Sequence, residues 1–203
     1  MKGNKRMKLP KDMVDAFERN GGLLKTRELV ALGRSKAWIG LCVREGLLSR
    51  IGHGVYALPD ALADDVAAFL ARSDKMILSH ESAMYLNGLA EGAPETICVT
   101  VPSDRRLSPS ALGLCRCHYV KPELHGLGAV MRQTTFGNEV RCYDAERTVC
   151  DVFRSRSRMD SETVLAALRN YVASNNRDLP KLSRYARVFG IFDRLRGELE
   201  VAL

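Results

Sequence analysis

Residues 33–59, GRSKAWIGLCVREGLLSRIGHGVYALP, constrain the fold more tightly than any other stretch of the chain. Ser35 stands where a helix N-cap belongs, and Ile39, Cys42 and Val43 recur at helical spacing until Gly46 interrupts them. Beyond that glycine, LLSRIGHGVYAL alternates around Gly-His-Gly, the pattern of a β-hairpin. Upstream, Met13, Ala16 and Phe17 predict a helix over about 11–19, ended by the left-handed-tolerant NGG at 20–22. Leu23 and Leu24 suit a very short strand. Thr26 is placed to cap a second helix that carries Leu29, Val30 and Leu32 and stops at Gly33. Helix, helix, helix, hairpin is the order of a winged helix-turn-helix, whose second paired helix enters the major groove.

Charge divides the chain at the end of this module. Residues 1–58 hold 12 Lys/Arg against 5 Asp/Glu, so they carry the whole net charge of +7, and residues 59–203 are neutral. A basic head on a neutral body is the electrostatic footprint of a nucleic-acid-binding domain joined to a domain with another task. The expected division is therefore 1–58 and 59–203. On the third helix, Lys36, Ala37, Gly40 and Arg44 lie opposite the apolar stripe. Small residues let a backbone approach base edges, and flanking cations meet phosphate. A glycine inside a helix costs about 1 kcal/mol relative to alanine, which asks for a reason; close packing against another helix is the alternative one. Lys25, Arg34, Arg50 and His53, with Thr26 and Ser35 at the helix starts, are expected to hold the DNA backbone. Trp38 suits burial beside the wing or a contact with DNA.

The rest reads as a small mixed sheet with helices before and after it, an α+β pattern with a helical C-terminus. Asp60 is placed to cap a helix through about Arg72, and Ser79 to cap SHESAMYLNGL. In ETICVTVP, Ile97, Val99 and Val101 alternate with Thr96, Cys98 and Thr100, which predicts a half-buried strand. LGLCRCHYV and the pair around TTFGNEVRCY, turning near Gly137-Asn138, supply further strands. Helices follow over about 145–156, 161–174, 180–189 and 191–202.

Five stretches, GGLLKTRELVALGRS, REGLLSRIGHGVYALP, LSHESAMYLNGL, ICVTVPSDRR and YDAERTVCDVFRSR, occur in an order and spacing that resemble the AbiEi-type antitoxins of bacterial abortive-infection and toxin–antitoxin systems. The resemblance spans about residues 12–170. It implies a winged N-terminal domain that binds repeats in the operon's own promoter as a repressor. It also implies a larger domain that counteracts a toxin of nucleotidyltransferase type, with or without contact. Arg105 and Arg106, in the loop after a strand, and Arg154 and Arg156, in RSRSR at a helix end, are the candidate toxin-facing cations. A stand-alone regulator of the same shape, its body sensing a ligand or thiol state, is the alternative function.

Catalytic patterns fail on particular letters. His80-Glu81 is not followed by the second histidine of HExxH, because position 84 is Met84. Phosphate-loop, nucleophile-elbow and [DE]-x-K nuclease patterns do not occur. Glu146, Arg147 and Asp151 form either a catalytic trio or a structural charge network, the latter favoured by i, i+4 pairing of Arg147 and Asp151. On a strand, Cys115 and Cys117 share one face and His118 takes the other, so the three cannot easily ligate one zinc. No enzyme activity, metal or cofactor is expected. No apolar run of about 20 residues suggests a membrane span, and the basic N-terminus lacks the apolar core of a secretory signal. The six cysteines show no CxxC or framework spacing, and the expected compartment is the cytoplasm.

Overall fold

In the computed structural model, which describes residues 7–52, 54–59 and 64–202, the chain opens with α1 (Lys11–Arg19), β1 (Leu23–Lys25), α2 (Thr26–Ala31) and α3 (Lys36–Arg44). The hairpin β2 (Ser49–Gly52) and β3 (Val55–Ala57) follows, then α4 (Asp65–Leu70). β3 lies between β1 and β2 and is antiparallel to both. Met13, Phe17, Leu24, Leu29, Ile39, Cys42 and Leu48 form the core beneath these helices, as their 3.6-residue spacing predicts. Ser35 caps α3, its Oγ accepting the Trp38 N–H at 3.1 Å.

The side-chain caps expected at Thr26 and Ser79 are not formed. Thr26 is the first residue of α2 rather than its cap. Its N–H and hydroxyl both donate to the Gly54 carbonyl, at 2.7 and 3.2 Å, which ties the helix start to the hairpin. The cap expected at Asp60 lies outside the described residues; α4 is capped by Asp64, whose side chain accepts the Ala67 N–H at 2.9 Å. Asp64 is buried, and its other oxygen accepts from the Thr134 hydroxyl and, at 3.0 Å, from Asn138 Nδ2. Asn138 Nδ2 also donates to the Gly21 carbonyl at 3.0 Å. The first compact unit accordingly comprises Met1–Asp74 with Gln133–Glu139, beyond the expected limit at residue 58.

The second unit comprises Lys75–Arg132 and Val140–Leu203. Its sheet runs in the order β6 (Cys115–Val120), β5 (Ile97–Pro102), β4 (Ile77–Leu78), β8 (Glu139–Tyr143), β7 (Ala129–Gln133). β5 is parallel to β6 and antiparallel to β4, and β4 is parallel to β8, so the sheet is mixed. The crossover from β5 to β6 carries α6 (Pro109–Leu112), and α7 (Pro122–His125) follows β6. β5 is not half-buried: Cys98 through Pro102 are all buried, because the strand lies inside the sheet and both α5 (His80–Leu86) and α7 pack on it. Ser79 precedes α5 without capping it, and its Oγ is hydrogen-bonded to His80 Nδ1 instead.

α8 (Ala145–Ser155), a 3-10 turn (Arg156–Arg158), α9 (Ser161–Ala173), α10 (Leu179–Val188) and α11 (Phe192–Ala202) complete the unit. Val149, Val152, Phe153, Val164, Leu168, Tyr171 and Leu182 form their common core with Met84 and Leu89. A polar network runs through it. Arg147, fully buried, donates from Nε to Asp151 at 2.9 Å and from Nη1 to the carbonyls of Leu124 and Leu127. Glu146 accepts from Tyr171 Oη and, with Asp144, receives the Lys181 ammonium at about 3 Å. Arg147 and Asp151 form the i, i+4 pair that the spacing predicts. None of the described helices is long and apolar enough to cross a membrane.

Candidate nucleic-acid interface

α3 presents two faces of opposite character. At about 100° per residue, Lys36, Gly40, Arg44 and Ala37 fall within one arc, and Ile39 and Cys42 turn to the core. Lys36, Ala37 and Arg44 are exposed, and neither cation makes a hydrogen bond or ion pair among the described residues. A Cβ built on Gly40 meets nothing within 4 Å, so close helix packing does not account for this glycine.

Beside this face the hairpin and the start of α2 form a groove of about 640 Å3. Lys25, Thr26, Lys36 and Arg50 line it together. So does Arg27, which sequence reasoning missed although it belongs to the basic run KTR; its side chain is almost fully exposed, 3.8 Å from Glu28. Gly54 shapes one wall with a left-handed φ of +67°, and a side chain there would meet Thr26 Oγ1 at 2.9 Å. Arg50 Nε donates to the Gly52 carbonyl at 3.3 Å, which keeps its guanidinium close to the hairpin turn. His53 lies outside the described residues.

Arg34 behaves differently from the other expected contacts. Its Nη2 donates to both carboxylate oxygens of Asp12, at 2.9 and 2.7 Å, and its guanidinium lies 5.5 Å from the Trp38 ring. Trp38 itself is half-buried against the helical core. Arg34 therefore joins α1 to the start of α3, and a phosphate would have to compete with Asp12 for it.

The remaining candidates lie in the second unit. Arg105 and Arg106 are exposed in the loop after β5, Arg105 being 3.8 Å from Asp104. Arg156 donates back to the Phe153 carbonyl at 2.8 Å, as a cation does at a helix C-terminus. Arg154 is held by Asp151 at 3.2 Å. All six thiols are free. Burial pushes those of Cys98, Cys142 and Cys150 up to about 12 and that of Cys115 up to about 11, far from reactive thiolates. No group of three or more His, Cys, Asp or Glu is arranged to hold a metal ion among the described residues.

A comparison with curated proteins finds no match. Among solved structures, the chain is similar to the RV2827C protein from Mycobacterium tuberculosis, with a TM-score of 0.63 and 15% identity over 94% of this chain and 75% of that one. At that identity the likeness concerns the fold. A family model described as "Transcriptional regulator, AbiEi antitoxin" matches residues 11–59, the span from α1 to the end of the hairpin. Over those residues the chain is similar to the AbiEi antitoxin family of transcriptional regulators.

Proposed function

We propose that this protein is a DNA-binding antitoxin that represses its own toxin–antitoxin operon and counteracts a nucleotidyltransferase-type toxin. The observation that carries the reading is the solvent face of α3. It combines two cations without partners and two residues with little or no side chain, in a module matched by an antitoxin-regulator family. α3 would enter the major groove, with Ala37 and Gly40 permitting close approach and Lys36 and Arg44 reaching bases and phosphates. Lys25, Thr26, Arg27, Ser35 and Arg50 would hold the flanking backbone, and Arg34 would keep the helix in place through Asp12. Occupation of a promoter repeat excludes the polymerase. Arg105, Arg106, Arg154 and Arg156 are the cations available to an acidic toxin surface.

The test is titration of the purified chain with its own upstream DNA and with a scrambled duplex over a salt series. Wild type is expected to prefer its own DNA, and Lys36→Ala/Arg44→Ala to lower the slope of log K against log salt by about 2. Equal binding to both duplexes would remove the repressor reading. Rescue of cells expressing the neighbouring toxin gene tests the second half independently.

A further inference from the structure

The second unit contains a polar cleft of about 350 Å3 that the DNA-binding reading does not use. Its floor is set by strand register. β5 and β6 are parallel with Thr100 opposite His118, so the two side chains stand next to each other on one face. Thr100 is 2% exposed, and its Oγ1 has no hydrogen-bond partner. His118 Nε2 is buried and equally unpartnered. The end of α8 and the 3-10 turn form the wall, bringing Arg154, Ser155, Ser157 and Arg158 to the same space.

His80 completes it. Its ring stacks on His118 with centroids 3.4 Å apart, and its Nε2 is hydrogen-bonded to Ser155 Oγ at 2.9 Å. The backbone holds this residue at φ +48°, a left-handed conformation that is uncommon outside glycine and clusters at ligand sites. Charge around the cleft is unbalanced. Asp151 is the carboxylate among its lining residues, and it is shared by Arg147 and Arg154. The Arg154 guanidinium also lies 4.4 Å from the Phe189 ring. Arg158 makes no ion pair among the described residues. Burial lowers the basicity of both stacked histidines, and for His80 the neighbouring His118, Arg154, Arg147 and Arg116 lower it further.

Two buried groups without partners, a surplus of guanidinium and a volume at the lower end of the small-ligand range are what a bound oxyanion would satisfy. We propose that this cleft binds the phosphate group of a small phosphorylated ligand, held by Arg158 and Arg154 and hydrogen-bonded by Thr100 Oγ1 and His118 Nε2. Ligand size leaves room for the phosphate with a nucleoside or sugar attached. The inference does not depend on the DNA-binding reading, because its residues lie outside that module, and it shares only Arg154 with the proposed toxin-facing cations.

The experiment is calorimetric titration of the full chain in a phosphate-free buffer at constant ionic strength. The probes are inorganic phosphate and adenosine 5′-monophosphate, with adenosine as the uncharged control. Saturable binding of either phosphorylated probe, absent with adenosine, is expected. A tighter monophosphate assigns the site to a phosphorylated metabolite, and equal affinities assign it to phosphate itself. Arg158→Gln and Thr100→Val are each expected to weaken binding at least tenfold, while Arg184→Gln, an exposed arginine of the same unit, leaves it unchanged. Thermal melting of Arg158→Gln followed by circular dichroism serves as the folding control and should match wild type. Absence of saturable binding by wild type, or equal affinity of Arg158→Gln and wild type, would overturn the proposal.

Discussion

Gly40→Ala separates the two roles a residue on α3 can have. Gly40 lies in mid-helix, and a Cβ there points into open space. Replacing it removes the entropic penalty of a helical glycine, a gain of about 1 kcal/mol. For a chain of this size that corresponds to a rise in Tm of about 2–4 °C, read by circular dichroism. The same methyl group stands on the arc shared by Lys36, Ala37 and Arg44. If that arc meets base edges, the methyl overpacks the interface, at a cost of about 1–3 kcal/mol, or roughly fivefold to 150-fold in Kd. The variant should therefore be more stable and bind its operator less well, a combination that misfolding cannot produce. A lowered Tm would mean that Gly40 is needed for the fold after all. A raised Tm with unchanged affinity would mean that this face of α3 does not enter the groove.

Other perturbations test the interior and the hairpin. Asp151→Asn leaves the buried Arg147 without its countercharge and should cost about 3–5 kcal/mol in urea unfolding; a loss under about 1 kcal/mol would refute the network's structural role. His80, His118 and His125 all have lowered basicity, chiefly through burial, so the unfolded chain binds more protons below the ordinary value of 6.5. Stability should thus be fully present above about pH 6.5 and fall on acidification, each histidine adding up to about 1.4 kcal/mol per pH unit until its folded form titrates; a flat profile between pH 7 and 5.5 would contradict this. Gly54→Ala forces a side chain into a left-handed backbone against Thr26 Oγ1 and should destabilise by at least about 1–2 kcal/mol, measured by thermal melting.

The head was legible because its information is local. Caps, helical spacing and the glycines of the hairpin place α1, α3 and the wing within a residue or so of where they lie. What sequence could not give was the destination of long polar side chains. Arg34, expected at a phosphate, is paired with Asp12 on α1, a partner that its own segment does not contain. Arg27 looked like any surface cation until β3 brought the groove beside it. In the body, β4 is only two residues long, Ile77–Leu78, too short for an alternation to register, yet it joins β5 to β8. The stacking of His80 on His118 joins a helix to a strand distant in sequence, which the local pattern of neither segment records.

The segment 133–139 makes the first unit discontinuous in the gene. Asp64 and Gly21 take their partners from a hairpin turn encoded more than sixty codons after Asp64. A contiguous fragment ending at Asp74 would be missing a piece of itself, with a capping carboxylate left half-satisfied. Such a head cannot be transplanted between regulators as a simple cassette, and recombination that exchanged it alone would have to bring a compatible turn. The segment also gives any substitution at Thr134 or Asn138 an address in the head, although the surrounding sequence belongs to the body.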